Sequence, residues 1–274
     1  MSFMKMTTNA FTGVVLAADR GHDDPVARAG NAPCKSFVPV GGRPMVLRVL
    51  DALAGAREIE SRMICGPSQD LLTREPELHG LIASGEIGWI QNQATPSSSV
   101  SLALNSLHHN LPVLVTTSDH ALLSPEIIDF FCCEARTTGC DVAIGLASHE
   151  RVMRAYPDTR RTVTRLREDS FCSCNLFAFL TPRARSAADF WQKIEGNRKK
   201  PWQMIRAIGW TVVLRYMLGM LSLDEGLSRL SRRMNLKAGA VILPFPEAAI
   251  DVDTVRDWLL VEKIVAEAYS RTPE

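Results

Sequence analysis

The sequence predicts an α/β fold, a three-layer α/β/α arrangement around a mainly parallel sheet that carries a helical insertion. Three observations predict it. Short apolar runs alternate with helical stretches as far as about residue 150, the pattern of successive βαβ units. The 274 residues, 46% of them hydrophobic, are enough to bury a sizeable core. No internal repeat or low-complexity tract breaks the pattern, so residues 1–274 are expected to form one domain, with 183–237 as a basic helical insertion within it.

Taken in order, "GVVLAA" (13–18) reads as a buried strand and "PMVLRVLDALAGA" (44–56) as a helix with apolar residues at helical spacing. "SRMICG" (61–66) and "IGWIQN" (87–92) read as strands, and "SVSLALNSL" (99–107) as a helix. "PVLVTTSD" (112–119) is a buried strand leading into "SPEIIDFFCCEA" (124–135), where Ser124 is the expected N-cap and Pro125 sits in the first turn. "DVAIGLAS" (141–148) is a further strand. "TVTRLREDSFCSCNLFAFL" (162–180) reads as paired strands, and the end of the chain as a strand, a short acidic loop and a closing helix.

Composition excludes several classes. With 31 basic against 30 acidic side chains, no global charge argues for nucleic acid as a partner. There is no run of 18 charge-free apolar residues, and "MSFMKMTTNAF" lacks the apolar core of a secretory signal, so a cytoplasmic location is expected. Seven cysteines, an odd number, suit a reducing compartment better than a disulfide framework. The spacing of Cys172 and Cys174 is wrong for a zinc knuckle, and buried thiols are expected there.

The loop after the first strand is long for a simple connection, whose median is about 4–6 residues. It stands at the carboxyl end of a strand, where open α/β sheets bind ligands. Neither GxGxxG nor GxxxxGK[ST] is present, which removes the main support for a dinucleotide oxidoreductase or a P-loop NTPase. Arg20, Gly21, Arg28, Gly30 and Lys35 remain, cations and accessible amides of a kind that suits a polyphosphate. The alternative is a set of solvated loop charges.

"LAADRG" at Leu16–Gly21, "CK" at Cys34–Lys35 and "PVGGRPM" at Pro39–Met45 resemble the motifs of the MobA-like nucleotidyltransferases, which carry LAAGxGxR, PK and PVGGxPM in this order. Asp19 replaces the family's first glycine and Cys34 its proline. The resemblance implies a nucleotide-diphospho-sugar transferase-like, Rossmann-like fold in which Leu16, Ala17, Ala18, Arg20, Gly21 and Lys35 wrap an NTP triphosphate. It also implies that Lys35 neutralises the triphosphate charge.

Two more stretches belong to the same sheet edge. "QNQATPSSSVSLALNSL" (91–107) runs from a polar loop straight into a helix, which one of Ser97, Ser98 and Ser99 is expected to cap. Ser99 and Val100 match the family's nucleotide-contacting SV pair. "TSDHALLSPE" is similar to the family's GDxPLLxPE, which implies that Asp119 holds a catalytic Mg²⁺. His120 is read as orienting or shape-filling rather than as an acid–base group.

In "PEAAIDVDTVRDWLL" the resemblance implies that Asp253 completes the metal site, with Asp251 as its substitute; a plain helix cap at Thr254 is the other reading. "CNLFAF" (174–179) is similar to the family's acceptor-side strand, which nominates Asn175. Mg²⁺ bound by one or two carboxylates plus substrate phosphates fits this set.

Residues 183–237 hold twelve Lys and Arg against four Asp and Glu, and mix Trp191, Trp202 and Trp210 with basic residues. Two readings stand: packed helices with a solvated basic face, or an acceptor site for an amphiphilic phosphate, with Arg206, Arg215 or Lys199 on its head group and peripheral contact with an anionic membrane.

The expected activity is transfer of an NMP moiety, CMP ahead of GMP, from CTP or GTP to a phosphorylated small-molecule or lipid acceptor. The other readings are a nucleotide-sugar glycosyltransferase, for which "SDH" at 118–120 is a poor metal motif, and a non-catalytic nucleotide-binding module.

Overall fold

The computed structural model describes residues 10–18, 23–107, 112–196 and 209–271. Asp19, Arg20, Gly21, Lys199, Lys200, Trp202 and Arg206 lie outside the described residues.

The first half is the expected alternation. β1 (Phe11–Leu16) is followed by a short helix α1 (Pro25–Ala29), a 3₁₀ turn (Lys35–Phe37) and a hairpin of β2 (Pro39–Val40) and β3 (Arg43–Pro44). Then come α2 (Met45–Gly55), β4 (Ile59–Cys65), α3 (Gln69–Leu72), α4 (Pro76–Ala83), β5 (Gly88–Ile90) and α5 (Pro96–Ser106). β6 (Val113–Thr117), α6 (Pro125–Thr137), β7 (Val142–Ser148) and α7 (His149–Ala155) follow. Four short helices, α1, α3, α4 and α7, lie outside the expected elements, because four to eight residues are too few to establish a helical period.

The second half is less regular. β8 (Val163–Arg165) and β9 (Ser170–Phe179) form the expected strand pair. The basic stretch supplies α8 (Arg185–Gly196), α9 (Trp210–Met217) and α10 (Leu223–Met234), after which β10 (Ala238–Leu243) returns to the sheet and α11 (Val255–Arg271) closes the fold.

The main sheet has the order β10-β7-β9-β6-β1-β4-β5, with β8 beside β9. β6, β1, β4 and β5 run parallel, as do β7 and β10, while β9 is antiparallel to β6, β7 and β8. Mostly parallel order therefore holds, interrupted by one strand that enters from the hairpin.

Period-two alternation in β1 assigns its neighbours to opposite layers. Val15 packs into the cluster of Leu47, Leu50 and Leu53 from α2 and Phe131 from α6. Val14 packs on the other face with Val100 and Leu104 of α5 and Ala188 of α8. Leu47, Leu50 and Leu53 recur at one helical face and are fully buried, each contributing about 1.5–3 kcal/mol.

The "VGGRP" segment is a tight hairpin: Gly41 and Gly42 adopt φ of 58° and 78°, and both positions need the left-handed region. It is clamped to α11. The Gly41 N–H donates to Glu262, the Trp258 indole donates to the Pro39 carbonyl at 2.8 Å, and a Cβ at Gly41 would lie 2.7 Å from Val265.

Candidate active site

At the carboxyl ends of β1 and β6 four segments are knitted together. The Ser118 N–H donates to the Leu16 carbonyl at 3.0 Å, which aligns the two strand ends. The hydroxyls of Ser36 and Ser118, 2.8 Å apart, pin the 3₁₀ turn against the end of β6. The Val252 N–H donates to the Asp119 carbonyl at 3.0 Å and brings the segment before α11 to the same place. Lys35 Nζ therefore lies between two carboxylates, 2.6 Å from Asp119 Oδ2 and 3.1 Å from Asp253 Oδ1.

The burial of this cluster is graded. Lys35 and Asp119 side chains are 12% and 17% exposed, whereas Asp253 is 56% exposed. Burial alone would push the Asp119 carboxyl up, but the Lys35 charge and hydrogen bond outweigh it and hold Asp119 below the usual carboxylate range. Burial pulls Lys35 down, and the two aspartates more than reverse this, so its ammonium stays charged.

His120 is fully buried, and burial pushes its pKa down to about 4 against the opposing pull of Asp119. The backbone of Ala248 lies beside the ring as a hydrogen-bonding group and also opposes that push. Buried and with its pKa lowered in this way, it is a neutral imidazole near pH 7.

A cavity of about 720 Å³ opens above these residues. Leu16, Ala18, Lys35, Ser99 and Asp119, all nominated from the sequence, line it together. Ala17 is buried beneath, its N–H bonded to the Cys65 carbonyl at 2.9 Å.

The opposite wall is the loop into α5. Thr95, not a serine, caps that helix, accepting from the Ser98 N–H, with Pro96 at the first turn. The Ser99 hydroxyl instead accepts from the Gln93 N–H at 2.9 Å and shapes the loop. Glu195 of α8 also reaches the cavity and accepts from both the N–H and the hydroxyl of Ser97.

The acceptor-side nominations sit elsewhere. Asn175 lies at a bulge where β7 and β9 shift register beside Gly145, and its φ of 49° aims the amide at Asp251 Oδ2, 2.6 Å away. Asp251 and Asp257 are bridged by Arg161, whose side chain is 7% exposed, so Asp251 is engaged structurally and is no substitute for Asp253. Arg215 does not line the cavity: its guanidinium bonds Glu225 at 3.0 Å and the Met220 carbonyl at 3.2 Å, tying α9 to α10. Arg20, Gly21 and Arg206 fall outside the described residues.

The residues present fit a hard divalent cation. Asp119 Oδ1 is buried without a hydrogen-bond partner, and Asp253 offers a second carboxylate from the open side. No group of three or more His, Cys, Asp or Glu that would form a full protein cage occurs among the described residues. Two carboxylates beside a substrate-sized cavity are what Mg²⁺ uses when phosphates and water complete its shell.

Several lining residues escaped the sequence reading. Thr95-Pro96 carries the same cap-then-proline signal as Ser124-Pro125, and would have placed the cap correctly. Ser36 and Glu195 carry no local signal, because their partners are 82 and 98 residues away.

The model of the MobA-like NTP transferase domain matches residues 13–237. Among solved structures, a hypothetical transferase from Thermus thermophilus is similar over 91% of this chain and 99% of its own, with 30% identity and a TM-score of 0.76. A 4-diphosphocytidyl-2C-methyl-D-erythritol synthase from Anaerococcus prevotii shares the fold at 14% identity and a TM-score of 0.57, covering 94% of this chain and 97% of that one. A CMP:2-keto-3-deoxy-manno-octonic acid synthetase complexed with CTP does so at 12% identity and a TM-score of 0.57, over 94% and 100%. No curated protein matches the sequence significantly. A family match across most of the length leads to one conclusion: the chain belongs to the MobA-like NTP transferase family.

Proposed function

We propose that this nucleotidyltransferase is Mg²⁺-dependent and moves an NMP moiety, CMP or GMP, from an NTP to a phosphorylated acceptor. The observation that carries the reading is the Lys35 ammonium held between Asp119 and Asp253 at the wall of a cavity of about 720 Å³. In the reaction an acceptor phosphate oxygen forms a bond to the α-phosphorus, the bond from that phosphorus to the bridging oxygen breaks, and pyrophosphate leaves with the electron pair. The attacking phosphate is already anionic, so no general base is required.

Lys35 neutralises charge on the triphosphate, and the backbone at Leu16–Ala18 and the polar loop into α5 orient it. Asp119 and Asp253 would hold Mg²⁺, which when bound supplies neutralisation of the charge developing on the phosphates. CTP is the first nucleotide to test, since a protein of the same fold is complexed with it.

The experiment is pyrophosphate release with each of the four NTPs, with and without Mg²⁺, against a panel of sugar, polyol and lipid phosphates. Mg²⁺-dependent, acceptor-dependent release with CTP or GTP is expected. Release from none of the combinations, or equal release with the Asp119→Asn variant, rejects the reading.

A further inference from the structure

A second cavity, of about 270 Å³, lies between the sheet and the insertion helices. Its floor is Ile144 and Leu146 of β7 with Phe171 of β9, and its roof is Val212 of α9 with Leu227 and Leu230 of α10. An apolar cavity of about 150 Å³ already admits a benzene-sized guest, so this one has room for a length of hydrocarbon chain.

Val212 also lines the adjoining cleft, of about 310 Å³, whose other walls include Arg229, Arg232 and Arg233. Arg232 and Arg233 are exposed on the last turn of α10. Glu225 is shared between Arg215 and Arg229, so the charge around the cleft is strongly positive. An apolar slot and a cationic cleft meeting at one valine match a ligand with a hydrocarbon tail and an anionic head.

We propose that the β7–β9/α9–α10 cavity binds the chain of a single-chain anionic amphiphile, with Arg232 and Arg233 facing its carboxylate or phosphate. The volume admits one chain from a dissolved molecule. Exposed Trp210, Leu214 and Met217 on α9 extend the apolar surface beyond the slot. The site is independent of the nucleotide cavity and of the reaction proposed for it, because binding is read on the protein alone.

The test uses the full chain and calorimetric titration with laurate and with dodecyl phosphate below their micellar concentrations. Dodecyltrimethylammonium is the charge control, and sedimentation with anionic vesicles is the membrane arm. Gly226→Leu fills the slot: a Cβ at Gly226 meets only Leu221 at 3.9 Å, and leucine is the better helix former.

One anionic amphiphile per chain is expected to bind the native protein. Gly226→Leu should lose at least about tenfold in affinity with its melting temperature kept or raised, and Arg232→Gln with Arg233→Gln should weaken binding by about tenfold, as the loss of charge-assisted contacts implies. Unchanged affinity in a folded Gly226→Leu variant overturns the proposal. So does equal binding of the cationic amphiphile, full affinity in the exposed double-arginine variant, or association with vesicles alone.

Discussion

Two cations in this molecule each bridge two aspartates, and the carboxylates Asp251 and Asp253 that they share out are two residues apart. Arg161 spans Asp251 and Asp257, donates to the Asp251 carbonyl at 3.1 Å, and sits in a pocket where Asp257 is 8% exposed and Asn175 takes up the other Asp251 oxygen. Lys35 spans Asp119 and Asp253, yet Asp119 Oδ1 has no hydrogen-bond partner and Asp253 faces solvent. Each site keeps one buried atom without a hydrogen-bond partner, Arg161 Nε in the first and Asp119 Oδ1 in the second, but only the second is an acceptor. The first arrangement is buried and holds the segment in place; the second reaches solvent through Asp253, which leaves room for the exchange of partners that the proposed function would need.

The strongest way to break this comparison is Asp119→Asn. Turnover should fall by a factor on the order of 10³, as when a preorganised electrostatic contact at a reacting centre is lost, while unfolding free energy should fall by less than in an Arg161→Leu variant, because Lys35 keeps its contact with Asp253. Pyrophosphate release and urea unfolding measured on the same preparation check both halves. A large loss of stability instead would make the Lys35 cluster structural like its counterpart.

Arg161→Leu should show the opposite profile. Removing one partner of a buried pair leaves two carboxylates uncompensated and is expected to cost about 3–5 kcal/mol of stability by chemical denaturation. Lys35→Ala comes next: nucleotide affinity should weaken by about 1.5–3 kcal/mol, the range for one charge-assisted contact, as read by NTP titration. An unchanged affinity would place Lys35 in the scaffold.

The pH dependence sharpens the difference further. Asp119 is lowered from its ordinary 3.8, so its share of stability is present above that value and is lost as acid carries the pH down through its folded pKa. Lys35 is raised from 10.5, so its share is present below that value and is lost as base carries the pH up through its folded pKa. A Lys35→Met/Asp119→Asn double-mutant cycle should therefore give a flat coupling between the two limits that fades at either end. The smallest effect is Thr95→Ala, where loss of the α5 cap is expected to cost about 1 kcal/mol in thermal unfolding.

The sequence carried far more about the edge of the sheet than about its supports. Ser124-Pro125 and the buried run before it placed Asp119 at a strand end because caps, prolines and apolar runs are local signals. The insertion was legible as helices for the same reason. Arg161 was invisible, since nothing within a turn or two of it hints at acceptors 90 and 96 residues away. Asn175 was noticed through the family's motif, but only the bulge at Gly145 decides that its amide serves Asp251. Thr95, rather than Ser97–Ser99, caps α5 because Pro96 starts the helix directly after it.

The clamp between the β2–β3 hairpin and α11 has a consequence in time. The Lys35–Asp119 pair joins residues 84 apart, whereas the Lys35–Asp253 pair joins residues 218 apart and depends on the last helix docking against Pro39 and Gly41. Contacts so distant along the chain close late, after shorter loops have formed. During synthesis, which releases the N-terminal part first, the sheet and its lysine can assemble while the second carboxylate is still on the ribosome. The Lys35–Asp253 pair thus closes only once α11 has docked, and a chain stopped before α11 should acquire the β1–β6 framework without that pair.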